Sequence, residues 1–171
     1  MAGLRAGQPN ALQKEEQMST EELNKAVVRR YYAECFEKGD LAAIEECLAP
    51  EVLLHDGEVR VDLSWIKDAF DRHIAAFPDH RFIVDHLVAE GDIVAATARY
   101  TGTHRGLFHW GGYGPWEPTG RSFCAREADF FRLAGGKIVE IWVAWNRHEF
   151  VQQLGVVDQQ PEPVNGFETR G

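Results

Sequence analysis

The first half of the chain repeats apolar residues at the three- and four-residue spacing of amphipathic helices. Residues that can cap a helix precede each apolar stripe, and Ser19 with Glu22 forms a capping box. Gly39, Pro50 and Pro78 end the stripes. The pattern predicts helices over 20–36, 41–48 and 65–77 and a short strand over 51–55. The helices are expected to start after Ser19, after Asp40 and after either Asp62 or Ser64.

The second half changes to the alternation of strands. Two hairpins are predicted around the turns Ala-Glu-Gly-Asp and Ala134-Gly135-Gly136, and a short helix ends the pattern. Helices grouped before antiparallel hairpins predict an α+β fold, in which a bent antiparallel sheet wraps around the helices and leaves a pocket between them. The segments are strands 81–88, 93–104, 122–133 and 137–147, a Gly-rich loop 105–120 over the pocket, and a helix ending at 152–155.

The turn geometry predicts which side chains share a face of the second hairpin. A two-residue turn at Gly135-Gly136 places Asp129 opposite Trp142 and Glu127 opposite Ala144. One face then carries Phe131, Asp129, Glu127, Ile138, Glu140, Trp142 and Asn146. The other face is more apolar and suits a core or a dimer interface. A solvated sheet face would give the same mixed pattern, and a β-bulge would exchange the two faces locally.

The first hairpin offers a second candidate pocket wall. A turn at Glu90-Gly91 places Tyr100 and His104 on one face with small residues of their own strand. These small residues would leave room for a ligand. The same register puts four residues of the partner strand on this face: Arg81, Ile83, Asp85 and Leu87.

Composition and charge exclude several classes of protein. The 171 residues carry a net charge of −9, which makes nucleic acid a poor partner. No apolar run has the length of a membrane span, and the N-terminal residues lack the apolar core of a secretory signal. The 3 cysteines are widely spaced, which is typical of free thiols in a reducing cytoplasm. We expect one cytoplasmic domain over 19–155, with tails at 1–18 and 156–171.

Several segments resemble the SnoaL-like polyketide cyclase and ester cyclase family. The segment PDHRFIVDHLVAEGDIVAATARYTGTHRG is similar to the family's PD-x-x-F…AEGD-x-V…TGTH-x-G pattern. PTGR, GKIVEIW and QQLG follow in the family's order, and the resemblance covers about residues 20–155. It implies the cone-shaped fold shared with ketosteroid isomerase and nuclear transport factor two, usually as a homodimer or a higher assembly. It also implies a cofactor-free enzyme that closes a ring in a polyketide-like small molecule.

One departure from the family's pattern concerns the catalytic acid/base. The last strand of the cyclases reads W-x-x-x-D, whereas this chain has Trp142 followed by Asn146. An amide exchanges no proton at neutral pH, although it can donate and accept hydrogen bonds. Either the base has moved to Glu127, Asp129 or His104, or the reaction needs only hydrogen bonds and shape, as in epoxide-opening or pericyclic ring closure. The remaining alternatives are a hydroxylase-type tailoring step and a non-catalytic binding or assembly module.

The candidate residues divide into proton-transfer groups and pocket walls. Histidine titrates near neutral pH, so His104 suits acid/base work, although a structural bond at the strand end is an alternative. Glu127 and Asp129 become bases only if burial raises their pKa, and Asn146 would hold a substrate oxygen. The expected substrate-binding residues are His55, Tyr32, Tyr100, Trp110, Trp116 and Trp142. The histidines show no metal-binding spacing, so no metal site is expected.

Overall fold

The computed structural model describes residues 18–56, 59–110 and 113–156, with only the backbone described at 59, 60 and 113. The tails expected at 1–18 and 156–171 therefore lie almost wholly outside the described residues. The helical elements are α1 (Thr20–Arg30), a π-helix (Tyr31–Phe36), α2 (Leu41–Cys47), α3 (Leu63–Ala76) and α4 (Arg147–Leu154). The strands are β1 (Leu48–Asp56), β2 (Val59–Val61), β3 (Arg81–Glu90), β4 (Ile93–Thr103), β5 (Phe108–Trp110), β6 (Tyr113–Trp116), β7 (Ser122–Ala134) and β8 (Lys137–Trp145).

The predicted helix caps are confirmed. Ser19 Oγ accepts a hydrogen bond from the backbone N–H of Glu22 at 3.3 Å, and Asp40 and Asp62 cap α2 and α3 in the same way. The expected end of α2 at Pro50 is wrong, because β1 already begins at Leu48. Pro50 lies where the pairing of β1 with β8 shifts between Leu48 and Leu53, so its missing N–H interrupts no regular ladder.

The α+β class is confirmed, but the sheet is mixed rather than wholly antiparallel. Its strand order is β2-β1-β8-β7-β4-β3, and β1 runs parallel to β8. The sheet curves without closing into a barrel, and the helices pack on its inner face. The segment 105–120, expected to be a loop, contains the small β5–β6 ribbon among its described residues.

A register shift corrects the predicted faces of the β7–β8 hairpin. The expected pairing holds for Ala134 with Lys137 and for Leu133 with Ile138, and then shifts by one residue. Asp129 consequently pairs with Val143 rather than with Trp142. Since alternate residues of a strand point to opposite faces, the bulge turns Ile141, Val143 and Trp145 inward and Trp142 outward.

The β3–β4 hairpin also differs from its predicted register. Glu90 pairs with Ile93, so the turn is Gly91-Asp92, and a second shift follows between Val84 and His86. Phe82, which pairs with Tyr100, takes the inner position expected for Arg81 or Ile83. The predicted inner face of β4 is correct at Tyr100.

The hydrophobic core lies between the inner face of the sheet and the helices. Tyr31, Phe77 and Phe131 are among its largest fully buried side chains. The expected free thiols are confirmed: Cys35 and Cys47 are free and buried, and Cys124 is free and exposed. Among the described residues, the helices are all too short or too polar to cross a membrane.

Candidate active site

An apolar cavity lies between the curved sheet and the helices. Its volume is about 60 Å³, and aromatic rings from the π-helix, α3, β4, β5, β7 and β8 form most of its wall. A site for one water needs roughly 10–15 Å³, so the cavity is larger than a single water site. Its polar lining residues are Tyr31, Asp56, His73, Tyr100, Trp110, Glu127, Asp129 and Trp145.

Two carboxyl groups of β7 enter this apolar space. Glu127 and Asp129 are two residues apart in one strand, so both point to the inner face. The hydroxyl of Tyr32 donates a hydrogen bond to Oδ2 of Asp129. The other oxygen, Oδ1, is buried and has no hydrogen-bond donor among the described residues. Asp129 is thus held by one oxygen and can accept a proton with the other.

The two buried carboxyls hold their protons more tightly than carboxyls on the protein surface do. Burial raises the pKa of Glu127 well above its ordinary value, and the charge of Asp129 raises it further. Burial also raises the pKa of Asp129, to about 6, although the hydrogen bond from Tyr32 opposes the shift. Both carboxyls thus have raised pKa values, and general acid–base catalysis requires groups whose pKa values lie near the working pH.

A third carboxylate, Asp56, lies at the end of β1 and lines the cavity. It accepts hydrogen bonds from the indoles of Trp110 and Trp145 at 2.5 and 3.1 Å, and from Arg147 at 2.5 Å. Only 2% of Asp56 is exposed. Its negative charge raises the pKa values of Glu127 and Asp129. Asp56 thus connects the β5–β6 ribbon to the sheet and influences the proposed acid and base.

Tyr100 and His73 form a second polar group in the cavity. The hydroxyl of Tyr100 on β4 lies 2.6 Å from Nε2 of His73 on α3. Both residues are buried, and Tyr100 stacks on Phe82 with the ring centroids 4.7 Å apart. Tyr100 was expected to line the pocket, and the structure places it in the cavity.

Asn146 does not line the apolar cavity; it lies beside Glu127 and Trp145 in a wider, open cleft, which corrects its expected position. It is exposed and forms the N-cap of α4, where its Oδ1 accepts a hydrogen bond from the N–H of Glu149 at 3.1 Å. The reason is that β8 ends at Trp145, so Asn146 begins a helix instead of continuing the inner face of the strand.

His104 is fully buried but does not line the cavity. Its backbone bonds to Arg121 and Gly120, its Nδ1 lies 3.3 Å from Thr119 Oγ1, and its ring packs on Phe77. Burial lowers its pKa. These contacts place His104 in the alternative role of a structural histidine at the strand end.

His55 and Trp142 lie on the outer face of the sheet, so the expectation that they line the pocket is wrong. Their rings stack with centroids 5.4 Å apart, and His55 Nε2 lies 2.8 Å from Glu140 Oε1. The β7–β8 bulge is the physical cause for Trp142, and His55 pairs with Trp142 from β1 and therefore lies on the same outer face.

The remaining expected wall residues lie near the cavity. Trp110 lines it directly, and Trp116 stacks on Phe108 beside a smaller adjacent cleft. Tyr32 reaches the site through Asp129, while its neighbour Tyr31 lines the cavity. The structure therefore brings Glu127, Asp129, Tyr32, Tyr100 and Trp110 together at one site.

Four polar cavity residues are absent from the sequence-based site prediction: Tyr31, Asp56, His73 and Trp145. Asp56 ends a strand next to His55, and no pattern distinguished its side chain from the solvated carboxylates. His73 lies on the buried stripe of α3, where the sequence offers no signal beyond the spacing of a core position. The described residues contain no cluster of three or more His, Cys, Asp or Glu suited to a metal ion.

Comparisons with known proteins identify the family of the chain. The family model of the SnoaL-like polyketide cyclases matches residues 26–154. None of the curated proteins matches the chain.

The names of the similar solved structures refer to two kinds of activity, cyclase and hydroxylase. IdmH from Streptomyces antibioticus, a proposed polyketide cyclase, is 28% identical, with a TM-score of 0.64 over 78% of this chain and 99% of its own. AclR from Streptomyces galilaeus, a proposed hydroxylase, is 26% identical, with a TM-score of 0.67 over 77% of this chain and 95% of its own. A SnoaL-like protein from Jannaschia sp. CCS1, at 22% identity and a TM-score of 0.71, covers 81% of this chain and 96% of its own and supports the fold alone.

Proposed function

Because the chain belongs to the SnoaL-like polyketide cyclase family, we propose that it is a cofactor-independent cyclase of a polyketide-type intermediate. The observation that carries this proposal is the Glu127–Asp129 pair in an apolar cavity. Ring closure by aldol addition begins when a base removes a proton from a carbon beside a carbonyl group. The resulting enolate then attacks a second carbonyl that the cavity holds nearby.

Each residue of the pair has a separate role in this reaction. Asp129 is the base, because its Oδ1 lacks a hydrogen-bond donor among the described residues while Tyr32 holds its other oxygen. Glu127 is the acid, because burial raises its pKa well above the ordinary value and so favours the protonated form. Glu127 gives its proton to the alkoxide formed by the attack, and the proton that Asp129 took from carbon then passes to Glu127, so no proton is gained or lost.

The cavity, at about 60 Å³, is larger than the roughly 10–15 Å³ that one water site needs. We propose that it holds the reacting part of the intermediate against the aromatic side chains of its wall.

Hydrogen exchange at a small ketone tests the proposal without the natural substrate. Cyclohexanone is incubated with the protein in D₂O, and loss of the protons beside its carbonyl is followed by ¹H NMR. The protein should accelerate exchange, and Asp129→Asn should lower the acceleration by at least about 100-fold. Asp92→Asn removes an exposed carboxylate at a turn and is the matched control. Exchange that is equally fast in Asp129→Asn and the wild type would contradict the assignment.

A second candidate is epoxide opening. A protonated Glu127 beside an ionised Asp129 could protonate an epoxide oxygen while the base activates the attacking hydroxyl group. Turnover of cyclohexene oxide to the diol, without ketone exchange, would favour this reaction. Hydroxylation, suggested by the name of AclR, and a non-catalytic binding module are the remaining alternatives. The module is favoured if neither probe reacts but ligands still bind.

The expected homodimer, the cytoplasmic location and the domain limits 19–155 remain proposals. The resemblance to the family supports the dimer, and exposed Val88 and Phe130 on the outer sheet face agree with it. Light scattering of the purified full chain measures the oligomeric state, and a monomeric mass at micromolar concentration would contradict the dimer.

A further inference from the structure

The cavity contains a hydrogen-bonded tyrosine and histidine that the proposed reaction has not yet used. Tyr100 lies on the inner face of β4, where Ala98 pairs with Glu127 and Tyr100 with Ala125. Tyr100 is therefore a diagonal neighbour of Glu127 across the two strands. His73 approaches from α3 and places Nε2 2.6 Å from the hydroxyl oxygen. This arrangement brings a phenol and an imidazole to the same space as the carboxyl pair.

Both members of the Tyr100–His73 pair are uncharged near neutral pH. Burial lowers the pKa of His73 to about 3, and the nearby ring of His80 acts in the same direction. Burial raises the pKa of Tyr100 well above its ordinary value. A neutral imidazole has one N–H, and a phenol has one O–H. Only one of these hydrogens can lie between Nε2 and the tyrosine oxygen, which leaves the other hydrogen for a different partner.

His73 differs from the neighbouring His80 in the partners of its ring nitrogens. Both ring nitrogens of His80 already face backbone carbonyl oxygens, of Phe77 at 2.8 Å and of Phe36 at 2.5 Å. His80 therefore connects the ends of the π-helix and of α3. The Nε2 of His73 instead faces a side chain that lines the cavity.

We propose that His73 donates its Nε2–H to the oxygen of Tyr100, and that Tyr100 donates its O–H to the oxyanion of the reacting ketone. This inference rests on the proposed function. Asp129 takes the proton from carbon, and the electron pair of the broken C–H bond moves onto the carbonyl oxygen. That oxygen accepts the hydrogen bond from Tyr100 while the tyrosine keeps its proton. Tyr100 is thus a catalytic residue, and His73 is a positioning residue that frees its hydroxyl.

Phenols test the donor without any turnover, because a bound phenolate resembles an enolate. The probe is 4-nitrophenol, whose absorbance distinguishes its neutral and ionised forms. The measurement uses Asp129→Asn, which supplies the uncharged side chain that follows proton removal. Adding Tyr100→Phe, which keeps the ring that stacks on Phe82, should weaken phenolate binding by at least about ten-fold.

The histidine is tested with two matched variants in the same background. His73→Leu removes the donor and should weaken phenolate binding as Tyr100→Phe does. His73→Gln keeps an N–H group that can reach the tyrosine oxygen, and it should restore most of the affinity. Nitrogen NMR of ¹⁵N-histidine protein, with His73→Gln to identify the signals, should show His73 neutral and protonated at Nε2. Protonation at Nδ1 instead, or unchanged phenolate affinity in Tyr100→Phe, would overturn the inference.

Ketone exchange separates this inference from the proposed function. If exchange depends on Asp129 but not on Tyr100, the oxyanion role is wrong and the base assignment stands. If the wild type exchanges no ketone proton while phenolate binding depends on Tyr100 and His73, the aldol proposal fails and the donor site stands. A cooperative melting transition no lower than that of the parent protein confirms that each variant is folded.

Discussion

Replacing Asp129 with asparagine is expected to stabilise the folded protein at neutral pH while it removes the proposed base. The carboxyl is only 4% exposed, and its folded-state pKa is raised from 3.8 to about 6 because it is buried. Asparagine has nearly the same shape and retains an oxygen that can accept the hydrogen bond from Tyr32. It has no charge, so burial does not penalise it as the pH rises.

The sign and size of the effect follow from proton linkage. Because the pKa is higher in the folded state than in the unfolded chain, the folded state is favoured below pH 3.8 and loses that advantage as the pH rises to about 6. A pKa difference of about two units corresponds to about 3 kcal/mol at neutral pH. Asp129→Asn should therefore gain about 3 kcal/mol in unfolding free energy relative to the wild type between about pH 4 and pH 7. This corresponds to a rise of roughly 6–12 °C in melting temperature.

Urea unfolding of both proteins over this pH range provides the assay. Asp85→Asn is the control of opposite sign, because Arg99 lowers the pKa of Asp85 on the surface. Its ion pair favours the folded state above the unfolded pKa and is lost on acidification, so removing it should destabilise the protein only at the higher pH. The reasoning is refuted if the difference between Asp129→Asn and the wild type is the same at about pH 4.5 and about pH 7.5.

Further predictions concern activity, electrostatics and capping. Turnover (kcat/KM) should rise through about pH 6 as Asp129 ionises and fall at higher pH as Glu127 loses its proton; a flat profile would contradict these roles. Asp56→Asn should shift the rise of kcat/KM to lower pH and alter the fluorescence of Trp110. An unshifted rise would contradict the effect of the Asp56 charge on the pKa of Asp129. Asn146→Ala should lower the unfolding free energy by about 1 kcal/mol with unchanged turnover; lost turnover at full stability would restore its catalytic assignment.

The sequence predicted the features that depend on neighbouring residues. Ser19, Asp40 and Asp62 identify helix starts because their side chains bond to backbone N–H groups two or three residues away. The two-residue spacing of Glu127 and Asp129 likewise places both carboxyls on one face of a strand.

The features that the sequence left undecided depend on residues far apart in the chain. One shifted pair in β7–β8 moved Trp142 to the outer face, and the periodicity of either strand contains no sign of that shift. The end of β8 at Trp145 likewise made Asn146 a helix cap instead of a cavity residue. A hydrophobic pattern predicts side-chain orientation poorly at such positions, because one inserted residue moves every later side chain of the strand to the opposite face.

The sequence by itself determined the helices, the hairpins, the α+β class and the face shared by the two carboxyls, because short-range hydrogen bonds and side-chain period set these features. Only the tertiary structure decided which chemistry meets at the cavity. It joined Tyr32 to Asp129 across 97 positions and His73 to Tyr100 across 27. Burial of Glu127 and Asp129 raises their pKa values, and burial is a property of the packed fold rather than of any local pattern.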